Sequence, residues 1–210
     1  MSIVTRKPPI KETVGAQYVC FATKSENGEW PGTFDAEVEK TNVVKSVKVT
    51  ENLEVTDVYA SGSVYDTDTS ASSTDIETNV VAFPADTLAK MRGETVNEGG
   101  LNLSGGSGER PFFAYGKVVK LKNNKVRFEW FPKCKLVENS DEVATREDKF
   151  SEQTDTITIK AYQFDKDGNI KAYADSSASN FPAGLTEDIF FTQPILTQEQ
   201  LTKAITPATE

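Results

Sequence analysis

Histidine is absent from all 210 residues of the sequence. Imidazole is the side chain most used for proton transfer near neutral pH, and it is the commonest nitrogen ligand of protein-bound zinc, copper and iron. Its absence excludes His-based catalytic triads and most metalloenzyme sites. The function is therefore expected to need little acid–base chemistry.

Cysteine is almost as scarce. The two cysteines, Cys20 and Cys134, lie far apart and have no CxxC spacing, so they form neither a zinc knuckle nor a redox motif. Both stand in apolar, strand-like runs, which favours two buried free thiols. A disulfide between them is the alternative.

Long apolar runs and an excess of positive charge are also missing. No run approaches 18 apolar residues, and the N-terminal MSIVTRKPPIKET has no apolar core followed by a cleavage site. We therefore expect no membrane span and a protein that stays in the cytosol unless something else carries it out. With 32 acidic against 23 basic side chains and a net charge of −9, specific binding of nucleic acid is disfavoured.

The motifs that come closest to a ligand site are incomplete. The glycine-rich GGSGERP from Gly105 lacks the lysine and the following helix of a P-loop. Asp165–Asn169 begins like a calcium loop but lacks the later bidentate Glu, and it fits a hairpin turn better. Asp66 and Asp68 need no cation in a solvated loop. We predict no catalytic residue, no metal and no cofactor, and hence no enzyme.

The sequence does contain many runs of alternating apolar and polar residues. They predict a mainly β fold, a two-sheet β-sandwich or barrel-like structure with one flanking α-helix, a long inter-strand loop and extended terminal segments. We expect an N-terminal arm over residues 1–13 and a β domain over 14–175. Within it, the Ser/Thr/Asp-rich loop covers 60–74 and the helix about 84–92. A C-terminal segment over 176–210 follows, in which TQEQLTKAI favours a short helix.

The best-specified element is a hairpin in Lys117–Leu136, turned at Asn123-Asn124. Side chains alternate between the two faces of a strand. One face of the returning strand is predicted to join the core, and it consists of Val126, Phe128 and Trp130. The other face is a candidate subunit surface, and it consists of Arg127, Glu129 and Phe131.

Read in order, five segments resemble the major tail proteins of long-tailed, non-contractile bacteriophages (siphophages), the subunits of the tail tube. These segments are VGAQYVCFATK, VTDVYASGSVYD, DIETNVVAFPADTLAKMRGE, RPFFAYGKVVKLKNNKVRFEWFPKCKL and FSEQTDTITIKAYQFDKDGNIKAYAD. The resemblance covers roughly residues 14–175. It departs from the family at Ala60–Ser63, where an acidic pair is common, and no family motif lies beyond residue 176.

The resemblance implies a structural virion protein that assembles by itself in the bacterial host cytoplasm and ends up in the virion tail. Six copies would form a ring, and stacked rings would form the conduit for DNA ejection, through which DNA passes without specific binding. The implied partners are further copies, the tape-measure protein, the tail terminator and the distal tail protein, with no membrane. The loop that contacts the next ring would include Ser61, Tyr65, Asp66, Asp68 and Thr74. The face of Arg127, Glu129 and Phe131 would then line the channel or a subunit contact.

Two functions from other classes remain as alternatives. A cell-surface or carbohydrate-binding β-sandwich module would present an exposed aromatic platform, for which Phe128, Trp130 and Phe131 are the candidates. A hydrolase would need two carboxylates facing each other across a cleft, but the carboxylate pairs lie on polar runs without neighbouring aromatics.

Overall fold

The computed structural model describes residues 7–25, 28–94, 99, 101, 103–106, 108–141, 143, 145 and 153–206. Eight strands and three helices lie within them. The strands are β1 (Lys11–Phe21), β2 (Glu39–Thr41), β3 (Val44–Ala60), β4 (Ser63–Val80), β5 (Phe113–Leu121), β6 (Lys125–Ser140), β7 (Asp155–Tyr162) and β8 (Ala172–Asp175). The helices are α1 (Ala85–Arg92), α2 (Glu187–Phe190) and α3 (Gln198–Ile205).

All the strand pairs are antiparallel, and the long strand β6 connects two sheets. The first half of β6 pairs with β5 on one side and with β8 on the other. Its second half pairs with β7, which continues to β4 and β3. The hydrogen-bonded order is β2-β1-β5-β6-β7-β4-β3, so among the described residues the sheets do not close into a barrel. The predicted mainly β, two-sheet fold is confirmed.

The main core lies between the two sheets. Phe113 and Phe131 from the first sheet are fully buried in one apolar cluster with Ile76, Ile157 and Ile159 from the second. The Tyr115 hydroxyl lies 3.2 Å from the Thr78 hydroxyl, so a polar contact also joins the sheets. Burial raises the pKa of Tyr115, which keeps this phenol neutral.

A second apolar cluster covers the outer face of the first sheet. Phe128 and Trp130 of β6 are buried there beneath the C-terminal segment, from which Phe190 and Phe191 insert. The Trp130 indole N–H donates to the Phe190 carbonyl oxygen at 3.0 Å, which satisfies the buried donor. The first sheet is therefore covered on both faces.

Helix α1 lies at the start of the connection from β4 to β5, and it ends at a glycine in the left-handed conformation. Gly93 has a φ of 72°, and a Cβ there would lie 2.7 Å from the Glu109 carbonyl oxygen. On the buried side, Met91 joins the main core, and the Thr87 hydroxyl donates to the Glu39 carboxylate. The predicted helix over 84–92 corresponds to Ala85–Arg92.

The two terminal segments differ from the predictions. The expected arm over 1–13 is wrong at its end, because Lys11 already pairs with Leu121 in β1; residues 1–6 lie outside the described part. The C-terminal segment, predicted as an extended terminal segment, instead packs on the first sheet. Its predicted helix is α3, where Thr197 and Gln200 form a reciprocal capping box.

Candidate functional site

A two-stranded arm projects from the second sheet. Pairing between β4 and β7 ends at Ser73, which lies opposite Tyr162. Beyond that point β3 and β4 pair only with each other among the described residues, from Leu53 opposite Ala71 to Ala60 opposite Ser63. At about 3.3 Å per residue, this arm extends roughly 25 Å.

A tight turn at Ser61 and Gly62 closes the arm. Both residues have positive φ, 53° and 80°, which matches the backbone twist of a two-residue hairpin turn. A register shift between Val58 and Tyr59 adds a bulge just before the turn. The arm is therefore a specified hairpin, although an isolated two-stranded hairpin is marginally stable in water.

Large apolar side chains are exposed along the arm, and except for Tyr65 they are functional candidates that the sequence interpretation missed. Val55 is 62% exposed and Tyr65 is 78% exposed. The other exposed apolar residues of the arm are Leu53, Val58, Tyr59 and Val64. Val55 and Val58 lie on opposite faces because side chains alternate along a strand, so apolar surface is present on both sides.

Within the described part of the chain, both edges of the arm carry unpaired backbone groups, since β3 is the last strand of the sheet order and β4 has passed the end of β7. Open edges next to exposed apolar side chains are the features that natural proteins suppress unless another chain covers them. The arm therefore has the properties of a surface that is buried in an assembly.

The prediction of a long inter-strand loop over 60–74 is wrong in its secondary structure. Its Ser, Thr and Asp residues form most of the paired part of β4, because the register with β3 and the Ser61–Gly62 turn outweigh their weak strand propensity. Ser61 lies in the turn, and Tyr65 and Asp66 are exposed in the arm. Thr74 is buried at the base opposite Ala161, and the side chain of Asp68 lies outside the described part.

The predicted channel or subunit face of β6 is also corrected. Phe131 is fully buried in the main core, and Glu129 is buried and forms a salt bridge with Lys117 at 2.9 Å. The half-buried Arg127 donates from Nε to Asp175 at 2.7 Å. This face lies against the second sheet, so the three residues do not form an open surface in the subunit.

Asp175 anchors the end of β8 through these charges. Burial alone would raise its pKa, but hydrogen bonds from Ser177 and from Arg127 outweigh burial and lower the pKa below its ordinary value. The residues predicted for the core lie on the opposite face, where Phe128 and Trp130 are buried and Val126 packs against them. An aromatic platform made of Phe128, Trp130 and Phe131 is thus not available to a carbohydrate.

A second polar cluster ties the C-terminal segment to the first sheet. The Glu187 carboxylate accepts from the Tyr18 hydroxyl at 2.5 Å and from Lys40 Nζ at 2.8 Å. Burial together with this carboxylate raises the pKa of Tyr18 to about 12. Burial would raise the pKa of Glu187, yet the two donors lower it. The cluster is structural, because its three side chains bind one another within the same subunit.

Chemistry-bearing groups are otherwise sparse. Cys20 and Cys134 are both free and buried, each in a different apolar cluster. Within the described ranges, no group of three or more Cys, Asp or Glu residues could hold a metal ion. The helices in those ranges are too short and too polar to cross a membrane.

One comparison with known proteins identifies a family. A family model described as phage tail tube protein matches residues 32–192, which is most of the chain. Among solved structures, the chain is similar to one in the cryo-EM structure of the anti-feeding prophage (AFP) baseplate, 6-fold symmetrised. That similarity has 9% identity and a TM-score of 0.43, and it covers 80% of this chain and 97% of that chain. No curated protein matches the chain.

Proposed function

The chain belongs to the phage tail tube protein family, and from that premise we propose that it forms the tail tube of a long-tailed, non-contractile phage. In this proposal six copies close into a ring, and stacked rings form the conduit for DNA ejection. The subunit is not an enzyme and needs no cofactor. Its partners are its own copies and the tape-measure, terminator and distal tail proteins, within a virion assembled in the host cytoplasm.

The observation that carries the proposal is the arm over Leu53–Ala71. Its length of roughly 25 Å takes it well beyond the body of the subunit. Its apolar side chains are exposed in the subunit, and they become stabilising only when another surface buries them. A neighbouring copy in a ring or in the next ring supplies that cover at each arm. A repeated contact between two different surfaces builds rings and tubes.

The acidic balance suits a conduit for DNA. With a net charge of −9, the subunit does not offer the many Lys and Arg contacts that would hold phosphates through counterion release. Repulsion from an acidic wall acts over about 8 Å at physiological salt, so DNA would be kept from the wall without being stopped.

The deciding experiment removes the arm and preserves the body. In the deletion variant, residues 53–72 are replaced by a two-residue Asn-Gly turn, which keeps the strand pairing up to Asn52 and Ser73. We expect a folded monomer that forms no tubes in negative-stain images, whereas the full chain forms tubes. Normal tubes from the shortened chain, or only monomers of the full chain under all conditions, would overturn the proposal.

A further inference from the structure

Charge is distributed unevenly over the subunit, and the arm is its acidic end. No Lys or Arg occurs between Lys48 and Lys90. The arm and its base contain Glu51, Glu54, Asp57, Asp66 and Asp68. The carboxylate of Asp57 accepts from the Thr67 hydroxyl at 2.9 Å, and it lies on an exposed ribbon beside apolar side chains.

A basic surface lies on the first sheet, where the β5–β6 turn meets the start of β1. Leu121 pairs with both Lys11 and Lys125, and the backbone N–H of Lys122 donates to the Ile10 carbonyl oxygen at 2.9 Å. We call this surface the basic pole, and it consists of Lys11, Lys120, Lys122 and Lys125. All four lysines are exposed, and Glu12 is the acidic residue in the same stretch of β1.

An apolar side chain lies within the basic pole. Ile10 is 58% exposed next to the backbone that binds Lys122. The pole thus combines positive charge with apolar surface, as the arm combines negative charge with apolar surface. The two surfaces belong to different sheets of the subunit.

We propose that the acidic arm of one copy docks on the basic pole of a neighbouring copy. This inference rests on the proposed function, and it names the surface that receives the arm. The apolar side chains of the arm supply most of the affinity. The opposite charges make binding specific for the pole and raise the association rate of the two copies, which is the usual role of complementary charge at interfaces.

The same pattern explains why a strongly acidic chain can bind itself. At a net charge of −9, copies repel each other on average, but screening limits this repulsion to about 8 Å at physiological salt. Within that range, the local contact between arm and pole is attractive. The contact joins two different surfaces, so it can be repeated from copy to copy.

The test uses two full-length variants with reversed charges. The arm variant carries Asp57→Lys and Asp66→Lys, and the pole variant carries Lys11→Glu and Lys122→Glu. Lys120 and Lys125 are left unchanged because they act within the subunit, Lys120 on Glu187 and Lys125 on the Ser176 carbonyl. Assembly is measured by sedimentation and negative-stain microscopy against protein concentration.

Each variant alone places like charges at the contact, so we expect the concentration for half-maximal sedimentation to rise at least about tenfold. An equimolar mixture restores opposite charges at every contact, because each arm can then meet a pole of the other variant. We expect the mixture to assemble near the wild-type concentration with the two variants alternating.

Two control variants change the same net charge elsewhere on the exposed surface, Asp167→Lys with Glu199→Lys and Lys166→Glu with Lys203→Glu. They are expected to assemble like the wild type. Wild-type assembly by either single variant, or a mixture that remains dispersed while wild type assembles, overturns the docking of arm on pole. Failure of the wild type itself to assemble overturns the proposed function instead.

Discussion

Tyr18 and Phe191 stack face to face, with ring centroids 3.9 Å apart and an interplanar angle of 1°. Tyr18 lies in the first strand and Phe191 follows α2 near the other end of the chain. The contact makes the C-terminal segment part of the core of the first sheet. Substitutions in that segment should therefore act on folding as substitutions in a sheet core do.

Phe191→Ala should destabilise the subunit by about 3–5 kcal/mol, because it removes a buried ring and leaves a cavity beside Trp130 and Phe128. Chemical denaturation followed by tryptophan fluorescence measures the change. Tyr173→Ala is the matched control, since this ring is 62% exposed and its loss should cost no more than about 0.5 kcal/mol. Equal losses for both variants would contradict the assigned core.

Gly116→Ala should destabilise by about 1–3 kcal/mol through overpacking. A Cβ at position 116 would lie 2.7 Å from the Phe191 ring and 2.9 Å from the Trp130 ring, and both rings are buried. Gly106→Ala, where a Cβ meets nothing within 4 Å, is the control for the change of residue type. Adding Phe191→Leu to Gly116→Ala should cost less than the sum of the two single changes, because the smaller side chain makes room.

Glu187 should contribute to the acid sensitivity of the fold. Its pKa is lower in the folded chain than in the unfolded chain, so its stabilising effect is present above the ordinary carboxyl pKa and is lost as the pH falls through the lowered one. Glu187→Gln should therefore reduce stability at pH 7 by about 1 kcal/mol and flatten the loss of stability below about pH 4.5. Asp188→Asn, at an exposed neighbour in the same helix, is the control and should change the stability at pH 7 by less than about 0.5 kcal/mol.

Tyr18 should titrate unusually late on the alkaline side. Its pKa is raised to about 12 by burial and by Glu187, so its contribution to stability is complete below pH 10 and is lost as the pH rises toward about 12. In the unfolded state, the Tyr18→Phe variant should show one phenol fewer than the wild type titrating near pH 10 by absorbance at the tyrosinate band. In the folded state, the two proteins should show the same number of phenols titrating near pH 10. A loss of amplitude near pH 10 in the folded state would show that the contact with Glu187 is not formed.

Polar substitutions on the arm should separate assembly from folding. Val55→Ser with Tyr65→Ser removes apolar side chains that the free subunit leaves exposed, so the free energy of unfolding should change by less than about 0.5 kcal/mol. Under the proposed function tube formation should fail, because the proposed contact between copies would bury those side chains. Leu103→Ser with Val143→Ser, at exposed positions away from the arm, is the control and should assemble normally.

Much of the fold could be predicted from local pattern. The β5–β6 hairpin has strong alternation and two asparagines, Asn123 and Asn124, which adopt the positive φ that the turn needs. Helix α3 was recognisable from its capping box at Thr197 and Gln200. Both elements depend on interactions within a few residues, and such interactions are visible in a single sequence.

The sequence-based predictions are wrong where contacts with residues far away in the sequence determine the structure. Alternation separates Phe131 from Trp130, but it does not reveal that both faces of β6 are covered, one by the C-terminal segment and the other by the second sheet. The composition of residues 60–74 indicated a loop because strand propensity is weak there. The partner strand β3 imposes its register on that stretch and makes it an arm.

The direction of the arm has a mechanical consequence. Force applied to the arm along its length is parallel to β4, and β4 is held to β7 by the ladder between Ser73 and Val80. The hydrogen bonds of an antiparallel ladder are perpendicular to its strands, so such a force loads them in shear. They must then break together, not one after another as in peeling, so in the proposed assembly a pull between neighbouring copies would meet the strongest direction of the sheet.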